Sequence, residues 1–242
     1  HDERAFAGGW HYSSGCGQFL RDCSGCPQLR EPFQPVAEQA LELSRACLRG
    51  VPAPTIVAPS QWLAAEARRS SLFSGCRVEC IPYGLDLELF RASDKKEARA
   101  RFGLPDEALV ILFGAQSLAE PRKGFDLVRR AIETALDDAD TARAVAEGRV
   151  IFAAYGQSGE KLRETRLPLV LLGEQATEKE MARVLSASDL FICPSREDNL
   201  PNTVMEAMAC GVPVLGTQVG GIPDMVDHGV NGCLVRPNDA EE

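Results

Sequence analysis

Apolar residues recur at near-helical spacing from Val36 to Leu48, at Val36, Ala40, Leu43, Ala46 and Cys47, and Gly50 with Pro52 closes the run, which predicts a first helix. A short apolar run, Thr55-Ile56-Val57-Ala58, predicts a strand. Pro59-Ser60 then opens a second helix that reaches about Arg69, with Ser60 as its cap. Val78-Glu79-Cys80-Ile81 predicts the next strand, closed by Pro82-Tyr83-Gly84. Residues 87 to 107 are polar and charged, predict a short helix from Asp94 to Phe102, and carry the expected domain junction. Beyond them the alternation restarts. Strands are predicted at Leu109–Phe113, Val150–Ala153, Leu169–Leu172, Leu190–Cys193, Val212–Leu215 and Cys233–Val235, and helices from Phe125, from Glu178 to Leu185 and near Asn202 to Cys210. Continuous apolar runs of four or five residues between amphipathic helices indicate a parallel sheet covered on both faces, so the fold class is α/β and doubly wound.

The composition fits that class. Of 242 residues, 45% are apolar, 25% charged and 6% aromatic, which excludes collagenous, coiled-coil and wholly disordered chains. The net charge of −9 provides no global field for nucleic acid, and no nucleic-acid partner is expected. No apolar run approaches the roughly 20 residues of a membrane span. The opening His1-Asp2-Glu3-Arg4 has neither the initiator Met nor the basic and apolar regions of a signal peptide, and Asp239-Ala240-Glu241-Glu242 reads as the start of a helix. The expectation is a piece of a longer protein.

Nine cysteines fall into two populations. Six, such as Cys193 within Leu190-Phe191-Ile192-Cys193, sit scattered in mostly apolar surroundings and read as small buried hydrophobes. The others form His11-x4-Cys16-x6-Cys23-x2-Cys26, with glycines between and Pro27 after. This spacing suits a closed Cys3His structural zinc site, in which one tight turn offers two thiolates and a short loop returns the other ligands. A disulfide pair, a redox Cys-x2-Cys and plain reduced thiols are the competing readings.

In a doubly wound sheet, ligands bind at the carboxyl ends of the strands. The segments found there are Gly114-Ala115-Gln116-Ser117 followed by Arg122-Lys123-Gly124, then Tyr155-Gly156, then Pro194 through Asn202. Arg122-Lys123 is a cation pair at a loop-to-helix transition, where side-chain charge adds to the helix end to hold phosphate, although such a pair is often merely solvated. Asn199 is expected to cap the following helix, with Pro201 in its first turn and Gly211 at its end. Asp198 would stand at that helix mouth and Glu206 further along, so that a nucleotide diphosphate could set its phosphates on the helix end and a sugar hydroxyl on each carboxylate. Two ordinary carboxylates are the alternative.

The run Pro194-Ser195, Asp198-x7-Glu206, Glu206-Ala207-Met208-Ala209-Cys210-Gly211-Val212-Pro213-Val214 resembles the acidic-x7-Glu signature of retaining glycosyltransferases of the GT-B fold, family 4 (glycosyl transferases group 1). Val219-Gly220-Gly221-Ile222-Pro223-Asp224 and Ile81-Pro82-Tyr83-Gly84 resemble other passages of the same family. The opening His1-Asp2, Gly8-Gly9, His11-Tyr12 and Cys26-Pro27 resembles its exopolysaccharide, colanic-acid-type branch.

The resemblance implies two Rossmann-like domains. Residues 1–92 would be the C-terminal part of an incomplete acceptor-side domain with the Cys/His cluster at 11–26, and residues 93–242 a donor-binding domain lacking its last helix. It also implies a UDP- or GDP-sugar donor, no catalytic metal, and retaining hexosyl transfer to a hydroxyl of a glycan or lipid-linked acceptor in polysaccharide biosynthesis. Glu206 would hold the ribose hydroxyls and Asp198 a donor-sugar hydroxyl. Backbone near Asn199 and Leu200, the Gly114–Ser117 loop, Arg122 and Lys123 would hold the diphosphate, and His1 would approach the donor sugar opposite the nucleotide. The implied location is cytoplasmic, with contact to the inner membrane face through a preceding half. Three positions depart from the family pattern: Asp198 where Glu is commoner, Ala115 where many members carry Arg, and Tyr83 where Asn is frequent. A sugar-nucleotide epimerase of the same fold and a zinc-stabilised binding module remain as alternatives. A dinucleotide dehydrogenase would require Gly-x-Gly-x-x-Gly after a first strand, and none stands there.

Overall fold

The structure, a computed structural model, describes residues 1–157 and 167–240. The chain divides into two compact units, His1–Tyr83 and Gly84–Glu242. The division falls ahead of the junction expected at residue 92 because Leu85, Leu89 and Phe90 pack into the second unit's core. The helix start expected at residues 239–242 falls partly on Glu241 and Glu242, which lie outside the described residues; Asp239 and Ala240 are not helical.

In the first unit, helix α1 (Pro35–Leu48) starts on a proline, whose missing N–H costs nothing in the first turn. Strand β1 (Thr55–Ala58) leads to α2 (Gln61–Arg69), where Ser60 Oγ accepts from Leu63 N at 3.0 Å and closes the helix start as expected. Strand β2 (Arg77–Cys80) pairs with β1 in parallel, Thr55 against Arg77 through Ala58 against Cys80. Phe6, Phe19, Leu41, Leu63 and Phe73 form the core beneath them. The wholly buried Glu3 accepts from the Ser13 backbone N–H and so fastens the glycine-rich opening to this core.

The second unit begins with α3 (Lys95–Phe102), capped by the Asp94 carboxylate, which accepts from Lys96 N and Glu97 N. Next come β3 (Leu109–Ser117), α4 (Phe125–Leu136), α5 (Ala139–Ala146) and β4 (Val150–Gln157). Strand β5 (Leu169–Leu171), α6 (Glu178–Ser186), β6 (Leu190–Cys193), α7 (Asn202–Ala209), β7 (Val214–Thr217) and β8 (Gly232–Val235) follow among the described residues. The six strands are parallel, in the order β5-β4-β3-β6-β7-β8. This is a doubly wound order, with the winding reversing between β3 and β6.

Alternation along β3 supplies both faces of the sheet. Val110 and Leu112 enter one core with Phe191, Val204, Val214 and Ile222, while Phe113 enters the other with Phe125, Val128 and Ile132. β7 starts two residues later than predicted, because Val212 N is used to close α7 on Ala207 O and Pro213 has no N–H to give the ladder. Helix α5 has no counterpart among the predicted elements: Ala144 is its one buried residue, too little to show as a periodic stripe.

A buried ion pair joins α3 to the central strands. Arg99, 2% exposed, donates from Nη2 to Asp189 Oδ2 at 2.6 Å, from Nε to Ala187 O at 3.1 Å and from Nη1 to Asp106 O. Asp189 also accepts from Lys95 Nζ and from Val110 N, each at 2.7 Å. Burial raises the Asp189 pKa, but these hydrogen bonds and the Arg99 and Lys95 charges outweigh it and hold the carboxyl below its ordinary 3.8. The stabilisation is therefore present above that value and is lost as pH falls through the lower folded one. Asp189→Asn leaves the Arg99 charge buried and uncompensated and should destabilise the protein by about 3–5 kcal/mol at neutral pH. Urea unfolding measures this, and the gap to wild type should narrow as pH falls below 3.8, where the unfolded wild-type chain takes up a proton before the folded carboxylate does.

Candidate functional site

The carboxyl ends of β3 and β6, where the sheet reverses its winding, carry the segments singled out by sequence. β3 runs on through Gly114 to Ser117, with a register break between them. The Tyr155 ring lies against Gly114 so closely that a Cβ there would stand 2.0 Å from it. Tyr155 is 2% exposed, and its hydroxyl finds no hydrogen-bond partner among the described residues. Burial, with the Glu206 and Cys193 charges nearby, drives its pKa far above the ordinary value.

After β3, Pro121–Lys123 forms a 3-10 turn ending at Gly124, which takes φ +75°. A Cβ at Gly124 would lie 2.1 Å from Pro194 O, so only glycine lets the turn close onto the loop that follows β6. Across that contact the two loops exchange charge. Lys123 Nζ donates to Asp198 Oδ2 at 2.7 Å, Arg122 Nη1 lies 3.2 Å from the same oxygen, and Ser195 Oγ donates to it at 3.1 Å. Asp198 is only 5% exposed. Arg122 Nη1 also donates to Glu197 O at 2.8 Å.

Arg196 braces the arrangement from the loop after β6. Its guanidinium grips both oxygens of Asp126, in the first turn of α4, at 2.7 and 2.6 Å, and donates to Pro121 O at 2.8 Å and Asn238 Oδ1 at 2.9 Å. Hydrogen bonding to Arg196 holds the Asp126 carboxyl below its ordinary pKa. Neither partner carries a motif, and their contact spans 70 residues, so no local signal marks it in the sequence.

The N-cap position of α7 does not fall on Asn199. Pro201 occupies the N-cap position without a side-chain hydrogen bond, while Asn199 and Leu200 are buried beside the helix mouth and Gly211 ends the helix as expected. Glu206 lies on the second turn of α7, and burial together with Glu178 of α6 pushes its carboxyl up to about 7. His1 belongs to the first unit, where its ring stacks on Tyr83 at 5.1 Å between centroids and its Nδ1 lies 2.9 Å from the Tyr83 hydroxyl.

The zinc expectation is corrected. His11 is mostly exposed, with Nε2 4.0 Å from an Asp2 oxygen. Cys23 and Cys26 instead lie within the apolar core, lining with Cys16 a cavity of about 20 Å³. Among the described residues no group of three or more His, Cys, Asp or Glu side chains is arranged to hold a metal ion. All three cysteines are free thiols rather than disulfide partners, and burial with the neighbouring Cys16 and Cys26 pushes the Cys23 thiol up to about 11.

The family model for glycosyl transferases group 1 matches residues 108–242, more than half of the chain, including both strand-end loops and α7. The chain belongs to this family. Among curated relatives it is 37% identical over 175 residues to D-inositol 3-phosphate glycosyltransferase 1 of Catenulispora acidiphila, covering 67% of this chain and 40% of that protein. It is 32% identical over 177 residues to D-inositol 3-phosphate glycosyltransferase of Saccharomonospora viridis, covering 68% and 40%. The chain thus spans about 40% of the length of these relatives. Its fold is similar to sucrose-phosphate synthase from Thermosynechococcus elongatus, with a TM-score of 0.67 at 24% identity over 88% of this chain and 52% of that one. It is also similar to Anabaena HepE in complex with UDP, with a TM-score of 0.65 at 22% identity over 84% and 55%. These neighbours place the group 1 chain in the GT-B fold. Among the described residues no helix is long and apolar enough to cross a membrane.

A pH dependence follows from Glu206. Its raised pKa means that the folded state keeps the carboxyl protonated where the unfolded chain has released it, so stability is lost as pH rises from 4.5 through about 7. Glu206→Gln cannot ionise. Urea midpoints measured across that range should show the variant gaining on wild type as pH rises, with no gain below pH 4.5.

Proposed function

We propose that this chain is the donor-binding portion, with part of the acceptor-side domain, of a retaining glycosyltransferase. It moves a hexosyl group from a UDP- or GDP-sugar to a hydroxyl of a glycan or lipid-linked acceptor. The observation that carries the reading is the pair Arg122 and Lys123, held on the buried Asp198 carboxylate at the switch point of a doubly wound sheet and beside the start of α7. Names among the relatives support it: a D-inositol 3-phosphate glycosyltransferase in the sequence comparison and a UDP complex in the structural one.

In this reading the chemical problem is the negative charge that grows on the departing β-phosphate as the anomeric carbon becomes oxocarbenium-like. Lys123 and Arg122, already oriented by Asp198, meet that charge without reorganising, and the N–H groups near Asn199 and Leu200 add to them. The loop Gly114–Ser117 lies along the diphosphate, and Glu206 accepts from the ribose hydroxyls. Asp198 orients the cations and reaches the donor-sugar hydroxyl, while His1 serves the sugar face opposite the nucleotide. Residues 1–83 contribute to the acceptor side and 84–242 to the donor side of a longer cytoplasmic enzyme of polysaccharide synthesis, which meets the inner membrane face through its remaining half.

Titration calorimetry of the 242-residue chain against UDP, GDP and their sugars tests the donor assignment. Binding of one nucleoside series is expected, and indifference to the whole panel would sink it. In the intact enzyme, Lys123→Ala and Glu206→Ala should each lower turnover by about two orders of magnitude or more, the usual effect of removing one charge-stabilising or binding group. Near-normal kinetics in both variants rejects the roles of these two residues.

A further inference from the structure

Arg196, half-buried, uses its whole guanidinium in hydrogen bonds. Three guanidinium nitrogens are engaged: Nη1 with Asp126 Oδ1 and Pro121 O, Nη2 with Asp126 Oδ2, and Nε with Asn238 Oδ1. Its backbone N–H donates to Arg122 O at 2.8 Å, and Arg122 returns a bond to Glu197 O. Pro121 and Asp126 stand on either side of Arg122 and Lys123, so Arg196 grips the cation segment at both ends. The 3-10 turn between those ends has no side-chain cap of its own and rests on two three-residue backbone bonds, Lys123 N to Glu120 O and Gly124 N to Pro121 O.

A bidentate ion pair with one partner 52% exposed adds little to global stability, but it fixes two loops to one geometry. The loop it belongs to also carries Asp198, whose Oδ2 both Lys123 and Arg122 approach, and Ser195, which donates to the same oxygen. We propose that Arg196, through Asp126 and Pro121, is a positioning residue that holds Arg122 and Lys123 in register with Asp198 to receive the diphosphate of the donor. This rests on the donor-site reading above. Lysine cannot substitute, because a single ammonium does not reproduce the planar fork on Asp126.

The test is titration calorimetry of the 242-residue chain with UDP, GDP, UMP and GMP as probes. Arg196→Ala and Arg196→Lys should each weaken the recognised diphosphate about tenfold, the cost of misplacing a charge-assisted contact, and change the matching monophosphate by less than about twofold. In an Arg122→Ala, Lys123→Ala background the Arg196 substitution should cost nothing more, since Arg196 acts through those two cations. Asp126→Asn should reproduce the pattern, and it replaces Arg196→Ala should that variant misfold. Unchanged diphosphate affinity, equal losses for mono- and diphosphate, full recovery by lysine, or effects that multiply with the Arg122→Ala, Lys123→Ala pair would each overturn the proposal. A wild-type chain that binds none of the four probes rejects the donor site itself, a result distinguishable from these.

Discussion

The site depends on a carboxylate that has almost no water. Asp198 is 5% exposed, and an ionised group at that depth persists only where cations and hydroxyl donors replace its hydration. Lys123, Arg122 and Ser195 do so, and two of them come from a loop 75 residues away in sequence. The requirement runs both ways. A buried anion gathers cations that would otherwise be solvated, and the gathered cations place positive charge at the mouth of a crevice, where a doubly wound sheet already gathers strand ends and a helix start.

Strand order makes that meeting geometrically possible. Because β3 and β6 are neighbours and their following connections leave on opposite faces, the loops after them open side by side. The close approach of Gly124 to Pro194 seats one on the other, and Gly220, whose Cβ would come within 1.6 Å of Asp198 O, lets the loop after β7 close against the same residue from another side. The loops after three strands adjacent in the sheet thus converge on Asp198.

Much of this architecture is written in local pattern. The runs at 55–58 and 190–193 are strands where their apolar continuity predicts them, and the Ser60 cap stands where its side chain demands. Other elements depend on partners distant in sequence. β3 and β4 continue past glycines that look like loop, because pairing of Gly114 with Tyr155 and of Ser117 with Gln157 sustains them. The cysteine spacing misleads for a related reason: Cys-x2-Cys describes a turn, and whether its thiols face a metal or an apolar core depends on Phe6, Phe19 and Leu41, which the spacing does not contain. At the candidate site, the meeting of Arg122, Lys123 and Asp198 is legible from their places after the strands. The Asp126–Arg196 fork is not, since two ordinary surface-type residues acquire their role only when folding brings them together.

The ring of Tyr155 against Gly114 carries an evolutionary consequence. The space a side chain would need at position 114 is already filled by an aromatic ring from the adjacent strand, so the two positions cannot drift independently. A lineage acquiring any larger residue at 114 must first shrink residue 155, and the intermediate with both small passes through a hollow beside Cys193 and the helix that bears Glu206. Ancestry along this strand pair therefore has a preferred order of substitution, and the residues at 114 and 155 should co-vary across descendants of this sequence.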